Sequence, residues 1–228
     1  KLLKMVHKKI VIIAGEDSGD LHGAQLIKAL KQSNETYEFY GIGGEKMIKQ
    51  GLTPIEHIKN LNVIGLVEVL KHYPRIKMIF NKTLAFIKKI QPEKVILIDY
   101  PGFNLRLAKK ISNMGIEISY FILPQVWAWR SSRAKTLKQN TNKRISIIPL
   151  EKDWFKKRDI EISYVGNPLI ALQNIRADKN LLYEKYSISS NDKVVALMPG
   201  SRKSEIQKHW PIFLQTLDLL QKKSSHNI

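Results

Sequence analysis

Two short acidic segments each come directly after a run of apolar residues. Glu16 and Asp20 follow the run at residues 10–14, and Asp99 follows the run at residues 94–98. A carboxylate placed where a substrate binds can take a proton from a hydroxyl group as a general base. Because an acid directly after a buried strand has no helix-capping role there, we favour a functional interpretation for Glu16, and Asp99 repeats its arrangement.

Polar residues near these acids also have structural interpretations. Ser18 and Asp20 could cap a helix that is predicted from residue 21. Gly15, Gly19 and Gly23 are spaced four residues apart, so they match neither the dinucleotide fingerprint nor the phosphate-binding loop. The two common nucleotide-binding turns are therefore disfavoured here.

An aromatic segment follows the apolar residues 116–122. Trp127 and Trp129 alternate with small residues and have Gln125 and Arg130 as neighbours. Tryptophan presents a rigid apolar surface with one N–H donor. Core packing explains one tryptophan easily, but two of them beside polar residues predict the wall of a pocket.

A short polar turn precedes the last predicted helix, which carries Glu205. The turn consists of Gly200, Ser201 and Arg202. Free backbone amides at a helix start, a hydroxyl and a guanidinium suit a phosphate group. As an isolated motif of three residues this signal is weak.

Most of these candidates lie between a predicted strand and a predicted helix. Strands are predicted at residues 10–14, 37–40, 94–98, 116–122, 144–149 and 193–198, and helical patterns separate most of them. This alternation predicts an α/β fold with a parallel sheet. Ligands of such sheets bind at the carboxyl ends of the strands, so we expect Glu16 and Asp99 to share one edge. Asn104 follows Asp99 and is expected to cap the next helix, at residues 105–113.

Composition limits the class of protein. The chain has 228 residues, enough for one large or two modest domains, is 43% hydrophobic and contains no cysteine, which excludes global disorder and thiolate metal sites. A net charge of +18 favours polyanionic partners, namely nucleic acid, an anionic membrane or phosphorylated substrates. Without a long apolar run or a signal peptide, we expect a cytosolic protein.

Residues 61–80 combine apolar and basic side chains. Such a helix could lie on an anionic membrane or hold an acyl chain. A core helix interrupted at Pro74 is the alternative that the pattern alone favours. A polar stretch at residues 171–192 reads as a link into a second unit.

Five segments together resemble the lipid-A-disaccharide synthase family. They are residues 15–20, 99–104, 124–130, 165–169, and 199–202 with Glu205. The resemblance implies a two-domain GT-B architecture: a Rossmann-like, acceptor-binding domain at residues 1–170 and the start of a UDP-sugar-binding domain at 171–228, which is incomplete as given. The family's second domain continues beyond this point, so the 228-residue chain alone is expected to lack much of its donor site.

The resemblance also implies a reaction and its partners. The family condenses UDP-2,3-diacylglucosamine with 2,3-diacylglucosamine 1-phosphate (lipid X), forming a β-1,6-linked disaccharide and UDP in lipid A biosynthesis. The expected location is the inner face of the bacterial inner membrane, with residues 61–80 as the acyl and membrane contact. No cofactor or metal is expected, since B-type transferases resemble metal-independent enzymes, and a homodimer is left open.

Site residues follow from the same resemblance. Asp99 is the first choice for the general base and Glu16 the second. Substrate contacts are expected from Ser18, Asp20, Asn104, Gln125, Trp127, Trp129, Arg130 and Asn167. The UDP diphosphate is expected at Gly200, Ser201 and Arg202, with Glu205 nearby.

One departure and two rival functions stay open. Gly102 stands where relatives can carry a second acid, which leaves Asp99 as the base of that loop. An epimerase of the same B-type fold would use a sugar nucleotide without consuming an acylated acceptor. A basic nucleic-acid-binding module would need aromatic residues interleaved with lysines on an exposed face, whereas Trp127 and Trp129 cluster at a predicted sheet edge, so no nucleic-acid partner is expected.

Overall fold

A parallel sheet organises the first part of the chain in the computed structural model, which describes residues 8–33, 35–61, 66–128, 130–172, 178–189, 191–200 and 203–223. Its strands are β1 Lys8–Ala14, β2 Tyr37–Gly43, β3 Leu52–His57, β4 Lys94–Ile98, β5 Glu117–Phe121, β6 Lys143–Ser146 and β7 Ser163–Tyr164. Within the described ranges these seven strands pair in the order β3-β2-β1-β4-β5-β6-β7, and every pairing is parallel. The predicted α/β class is confirmed.

Helices cover both faces of the sheet. They are α1 Asp17–Lys31, α2 Glu45–Lys49, α3 Leu66–Ile90, α4 Pro101–Ile111, α5 Arg133–Asn140 and α6 Pro149–Lys156. Apolar side chains of α1 and α2 pack on one face, and those of α3 to α6 pack on the other. Because both faces are buried, β1 and β4 are almost continuously apolar, which is why the sequence revealed them.

The strand order creates a switch point between β1 and β4. The chain passes from β1 to β2 on one side, whereas β4 lies on the other side, with Ala14 paired to Ile98. Connections that leave in opposite directions open a crevice at the carboxyl ends of the two strands. The residues directly after Ala14 and Ile98 therefore stand at the preferred ligand position of this fold.

Two predicted helix starts are wrong. α1 begins at Asp17, so Ser18 and Asp20 lie inside the helix and cannot be its N-cap, a position that Glu16 occupies without a side-chain capping bond. α4 begins at Pro101, so Asn104 also lies inside its helix. Both helices start closer to their strands than the apolar periodicity indicated.

Three further differences concern the middle of the chain. β3 was not predicted, because Pro54 and polar residues interrupt its apolar pattern. α3 continues through Pro74, so the predicted interruption is wrong; residues 62–65 and the side chains of 66–72 lie outside the described part. The strand predicted at 144–149 ends at Ser146, because Pro149 begins α6.

Two compact units divide the chain, Lys1–Ile170 and Ala171–Ile228. The second contains α7 Lys179–Lys185, inside the predicted link, and α8 Lys203–Lys223. The helix after residue 202 is confirmed. The strand predicted at residues 193–198 is wrong, because this segment has no regular secondary structure. A strand needs a hydrogen-bonded neighbour, and the described residues of this unit provide none. The ligands assigned to each domain stay predictions.

Candidate active site at the carboxyl edge of the sheet

Glu16 and Asp99 lie at the switch point, one after β1 and one after β4. Burial raises the pKa of Asp99 to about 6, and the negative charge of Glu16 adds to this effect. The expectation that the two acids share one edge is therefore confirmed. A carboxylate with a pKa near 6 is ionised at neutral pH and is a stronger base than an ordinary aspartate, while the catalytic roles of both acids stay predictions.

The backbone at Asp99 is strained and firmly held. Asp99 and Tyr100 have φ angles of 42° and 47°, in the left-handed region that costs a non-glycine residue about 1–2 kcal/mol. The Asp99 carbonyl accepts hydrogen bonds from Tyr120 Oη at 2.6 Å and Asn104 Nδ2 at 2.8 Å, and Asn104 Nδ2 also donates to Ile98 O at 3.1 Å. These bonds fix the turn that carries the acid.

The two residues that hold this turn are themselves buried. Tyr120 and Asn104 both have 0% exposure, and burial raises the pKa of Tyr120 well above its usual range, so its hydroxyl keeps its proton. Asn104 Oδ1 is buried and has no hydrogen-bond partner among the described residues. Sequence reasoning missed Tyr120 and the supporting contacts of Asn104; substrate binding by Asn104 stays a prediction.

Gly15 allows the two acidic turns to pack together. A Cβ atom on Gly15 would lie 2.2 Å from Cγ of Tyr100, so the tyrosine ring occupies the space of the missing side chain. Tyr100 Oη donates to the carbonyl of Leu61 at 3.2 Å. Burial, followed by the charge of Glu16, raises the pKa of Tyr100. The tyrosine thus fixes the spacing between the two turns.

Asp20 connects α1 to the start of α2. Its carboxylate is 2% exposed and accepts hydrogen bonds from the backbone N–H groups of Gly44, Lys46 and Met47 at 2.7, 3.1 and 3.0 Å. A negative charge at these unpaired amides stabilises a helix start. Asp20 therefore caps a helix other than its own. Ser18 is exposed on α1, and substrate contacts by Ser18 and Asp20 stay predictions.

The tryptophan segment leaves β5 at the same edge. Gln125 and Arg130 are exposed and Trp127 is half-buried, whereas Trp129 lies outside the described residues. Trp127 Nε1 donates a hydrogen bond to Glu151 Oε1 at 3.0 Å. The pocket predicted here stays a prediction for all four residues.

Glu151 is a third acid that sequence reasoning missed. It is fully buried, with 0% exposure, in the first turn of α6, and burial raises its pKa. Its negative charge also contributes to the raised pKa of Asp99. The signal in the sequence is an acid soon after a strand, but the predicted strand runs to Pro149 and hides the turn after Ser146 that precedes Glu151.

The remaining predicted residues are placed elsewhere or only in part. Asn167 is exposed and its Oδ1 accepts from the N–H of Leu169 at 3.0 Å. It follows β7, three strands from β4, which at a strand spacing of about 4.8 Å is roughly 14 Å away. In the second unit, Gly200 has a φ of 117° and its Cβ position lies 2.6 Å from Glu205 Oε2. Ser201 and Arg202 lie outside the described residues.

The described residues form neither a cluster of metal ligands nor a helix that could cross a membrane. They contain no group of three or more His, Cys, Asp or Glu side chains placed to hold a metal ion. None of the described helices is both long enough and apolar enough to span a bilayer. In the second half of segment 61–80, Tyr73 and Met78 are 50% and 61% exposed while Ile79 is buried.

Comparison with known proteins gives a consistent family. A family model described as lipid-A-disaccharide synthetase matches residues 10–227. The lipid-A-disaccharide synthase of Trichlorobacter lovleyi is 36% identical over 214 residues, covering 94% of this chain and 56% of the relative. That of Coxiella burnetii strain Dugway 5J108-111 is 35% identical over 217 residues, covering 95% and 58%. The chain thus spans little more than half the length of these relatives.

Solved structures share the fold. The UDP-GlcNAc 2-epimerase of Neisseria meningitidis, bound to UDP-GlcNAc, superposes with a TM-score of 0.61 at 12% identity, covering 94% of this chain and 63% of that one. A putative UDP-N-acetylglucosamine 2-epimerase of Listeria monocytogenes gives a TM-score of 0.63 at 13% identity, covering 96% and 60%. At this identity the likeness shows the GT-B-type fold and not the reaction.

Proposed function

The chain belongs to the lipid-A-disaccharide synthetase family, and on that premise we propose that it carries the acceptor and general-base half of a glycosyltransferase. The reaction joins UDP-2,3-diacylglucosamine to 2,3-diacylglucosamine 1-phosphate and releases UDP. The observation that carries the proposal is the acid pair at the switch point, where Asp99 has a pKa raised to about 6 beside Glu16. No cofactor is required.

The proposed reaction transfers one proton to this site and exchanges the bond between the donor sugar and UDP for a bond to the acceptor. The 6-hydroxyl of the acceptor attacks the anomeric carbon of the donor and gives its proton to the Asp99 carboxylate, while the bond to UDP breaks. The neighbouring negative charge of Glu16 raises the pKa of Asp99 and so makes it a stronger base. The same charge stabilises the positive charge that develops on the donor sugar. Glu16 is the alternative base.

The other partners follow from the predicted segments. The donor diphosphate would bind at Gly200, Ser201 and Arg202, with Glu205 beside them. Residues 61–80 would contact acyl chains and the anionic inner face of the bacterial inner membrane. Tyr73 and Met78 are exposed there beside basic side chains, which supports a peripheral contact.

A transfer assay tests the proposal. The chain is joined to the part of the Coxiella burnetii relative that it does not match, and the disaccharide product is measured by mass spectrometry. We expect Asp99→Asn to lower kcat/KM at least about 100-fold, with the exposed Asp153→Asn as control. For the unchanged protein, kcat/KM should fall below pH about 6, as Asp99 becomes protonated.

Glu16→Gln should move this acidic limb to lower pH, because it removes a charge that raises the pKa of Asp99. Undiminished disaccharide formation by Asp99→Asn would remove Asp99 as the base. Conversion of a UDP-sugar without consumption of acceptor would favour an epimerase, and salt-sensitive RNA binding without any response to UDP-sugar would favour a nucleic-acid module.

A further inference from the structure

The buried carboxylate of Glu151 joins two segments at the carboxyl edge of the sheet. Its Oε1 accepts the indole N–H of Trp127 at 3.0 Å, and its Oε2 accepts the hydroxyl of Ser146 at 2.5 Å. Ser146 ends β6, and Trp127 lies in the segment after β5. One side chain therefore links the ends of two neighbouring strands.

Burying the charged carboxylate of Glu151 destabilises the folded state. A buried carboxylate loses its hydration and needs strong partners. No lysine, arginine or histidine of the described residues lies within ion-pair distance of Glu151. Among the described residues, two hydrogen-bond donors and the start of α6 stabilise its charge, and the pKa of Glu151 stays raised despite them. An apolar residue would fill the position at lower cost.

The contacts of Ser146 just before α6 explain only half of the arrangement. Ser146 Oγ accepts the N–H of Ile148 at 3.2 Å and can donate to the Ile148 carbonyl at 3.1 Å. Ser146 can thus bond the backbone of Ile148, the residue before α6, without Glu151. The bond to Trp127 spans 24 residues of sequence and adds nothing to α6. Its effect must be sought at the tryptophan.

Different residues fix the backbone of Trp127 and the orientation of its ring. Leu123 and Val126, before it, are buried at 3% and 2% exposure and hold the segment against the core. The ring itself is half-buried, so it retains surface that a ligand can contact. A bond to the single indole N–H selects one orientation of this ring.

Resting on the proposed transferase function, we propose that Glu151 is a positioning residue for the acceptor: it holds the indole of Trp127 in the orientation in which the ring contacts the bound sugar beside Asp99. The carboxylate acts through the tryptophan and does not touch the substrate. Glu151→Gln should preserve this function, since its amide oxygen can accept the indole N–H and its amide nitrogen can donate to Ser146. Glu151→Leu fills the space but removes the acceptor.

The first test follows the indole directly, in the 228-residue chain without substrate. In a nitrogen-15 NMR spectrum, Trp127→Phe identifies the Trp127 indole signal. Glu151→Leu should shift this signal more than any other indole signal, and Glu151→Gln should shift it less. Ser146→Ala is the matched control, because it removes the other hydrogen bond of Glu151 and should leave the indole bonded. An indole signal that is unmoved in Glu151→Leu would overturn the proposal.

The second test is a double-mutant cycle on binding of 2,3-diacylglucosamine 1-phosphate in detergent micelles, measured by calorimetry. Glu151→Leu and Trp127→Phe should each weaken binding about tenfold, and the double variant should also lose about tenfold because both changes remove one interaction. Ser146→Ala and Glu151→Gln should stay within about threefold. Additive losses near 100-fold, or full affinity in Glu151→Leu, would contradict positioning through Trp127.

The two ideas fail in different ways. If the unchanged chain binds no acylated glucosamine 1-phosphate, the proposed function is contradicted. The NMR comparison still decides whether Glu151 holds Trp127, since it needs no substrate.

Discussion

Replacing Asp99 by asparagine should stabilise the protein above pH 6 although it removes the proposed base. Burial and the charge of Glu16 raise the pKa of Asp99 from 3.8 to about 6. The folded chain therefore binds this proton more tightly than the unfolded chain does. Above pH 6 the ionised carboxylate destabilises the folded state, and as the pH falls through 6 protonation relieves that cost.

The structure sets the size of the effect. A pKa displaced from 3.8 to about 6 corresponds to about 3 kcal/mol at about 1.4 kcal/mol per pH unit. Solvent reaches part of the side chain and screens its charge, which reduces the estimate to about 2 kcal/mol. Asparagine has a similar shape, accepts the hydrogen bond of the Tyr100 N–H and tolerates the left-handed backbone better. This last gain does not depend on pH, so the pH dependence isolates the charge.

Urea unfolding measures the change in the free energy of unfolding that Asp99→Asn causes. Trp210→Phe in the second unit leaves the tryptophans of the first unit as fluorescence probes. In this background, Asp99→Asn should raise the free energy of unfolding by about 2 kcal/mol at pH 7.5, and the charge-dependent gain should vanish near pH 4. The exposed Asp153→Asn should change it by less than about 0.5 kcal/mol. A gain for Asp99→Asn that is the same at both pH values, or a loss at pH 7.5, would refute a raised pKa.

Further substitutions test the packing around the two acids by the same unfolding assay. Gly15→Ala should lower the free energy of unfolding by about 3 kcal/mol because its Cβ overlaps the Tyr100 ring, and Tyr100→Ala in the same chain should recover part of it. Gly102→Ala, with open space around the added atom, should change it by less than about 1 kcal/mol; equal losses for both alanines would exclude the overlap. Asp20→Ala should cost about 2 kcal/mol through the start of α2, whereas exposed Asp153→Ala should be nearly neutral.

The sequence predicts the strands that carry the acids better than the helices that follow them. β1 and β4 lie between covered faces, so their apolar runs mark them without ambiguity. α1 and α4 start earlier than predicted because their first turns carry polar residues that interrupt the apolar pattern. Asp20 finds its partners at the start of α2, and Asn104 finds its partners in the turn before its own helix. Apolar periodicity cannot reveal a polar side chain that is buried because it bonds to backbone groups.

The sequence likewise predicts the two acids of the candidate site better than the buried residues that support them. Glu16 and Asp99 could be placed together because parallel strands end at a common edge. Tyr120 reads as part of an apolar strand, and nothing in its neighbourhood shows that its hydroxyl holds the Asp99 carbonyl. Glu151 has Trp127 as a partner 24 residues away, a contact that only the order of β5 and β6 creates.

Glu16 and Asp99 lie in very short connections between a strand and a helix. Only Gly15 and Glu16 separate β1 from α1, and only Asp99 and Tyr100 separate β4 from α4. Such turns hold a carboxylate as rigidly as the strand before it, which would favour the proposed proton transfer because no conformational search would precede it. The cost is visible in two consecutive left-handed residues and in like charges placed close together. Strain and repulsion at this edge are tolerated because the core beneath β1 and β4 is buried, so the sheet supplies the stability that this edge gives up.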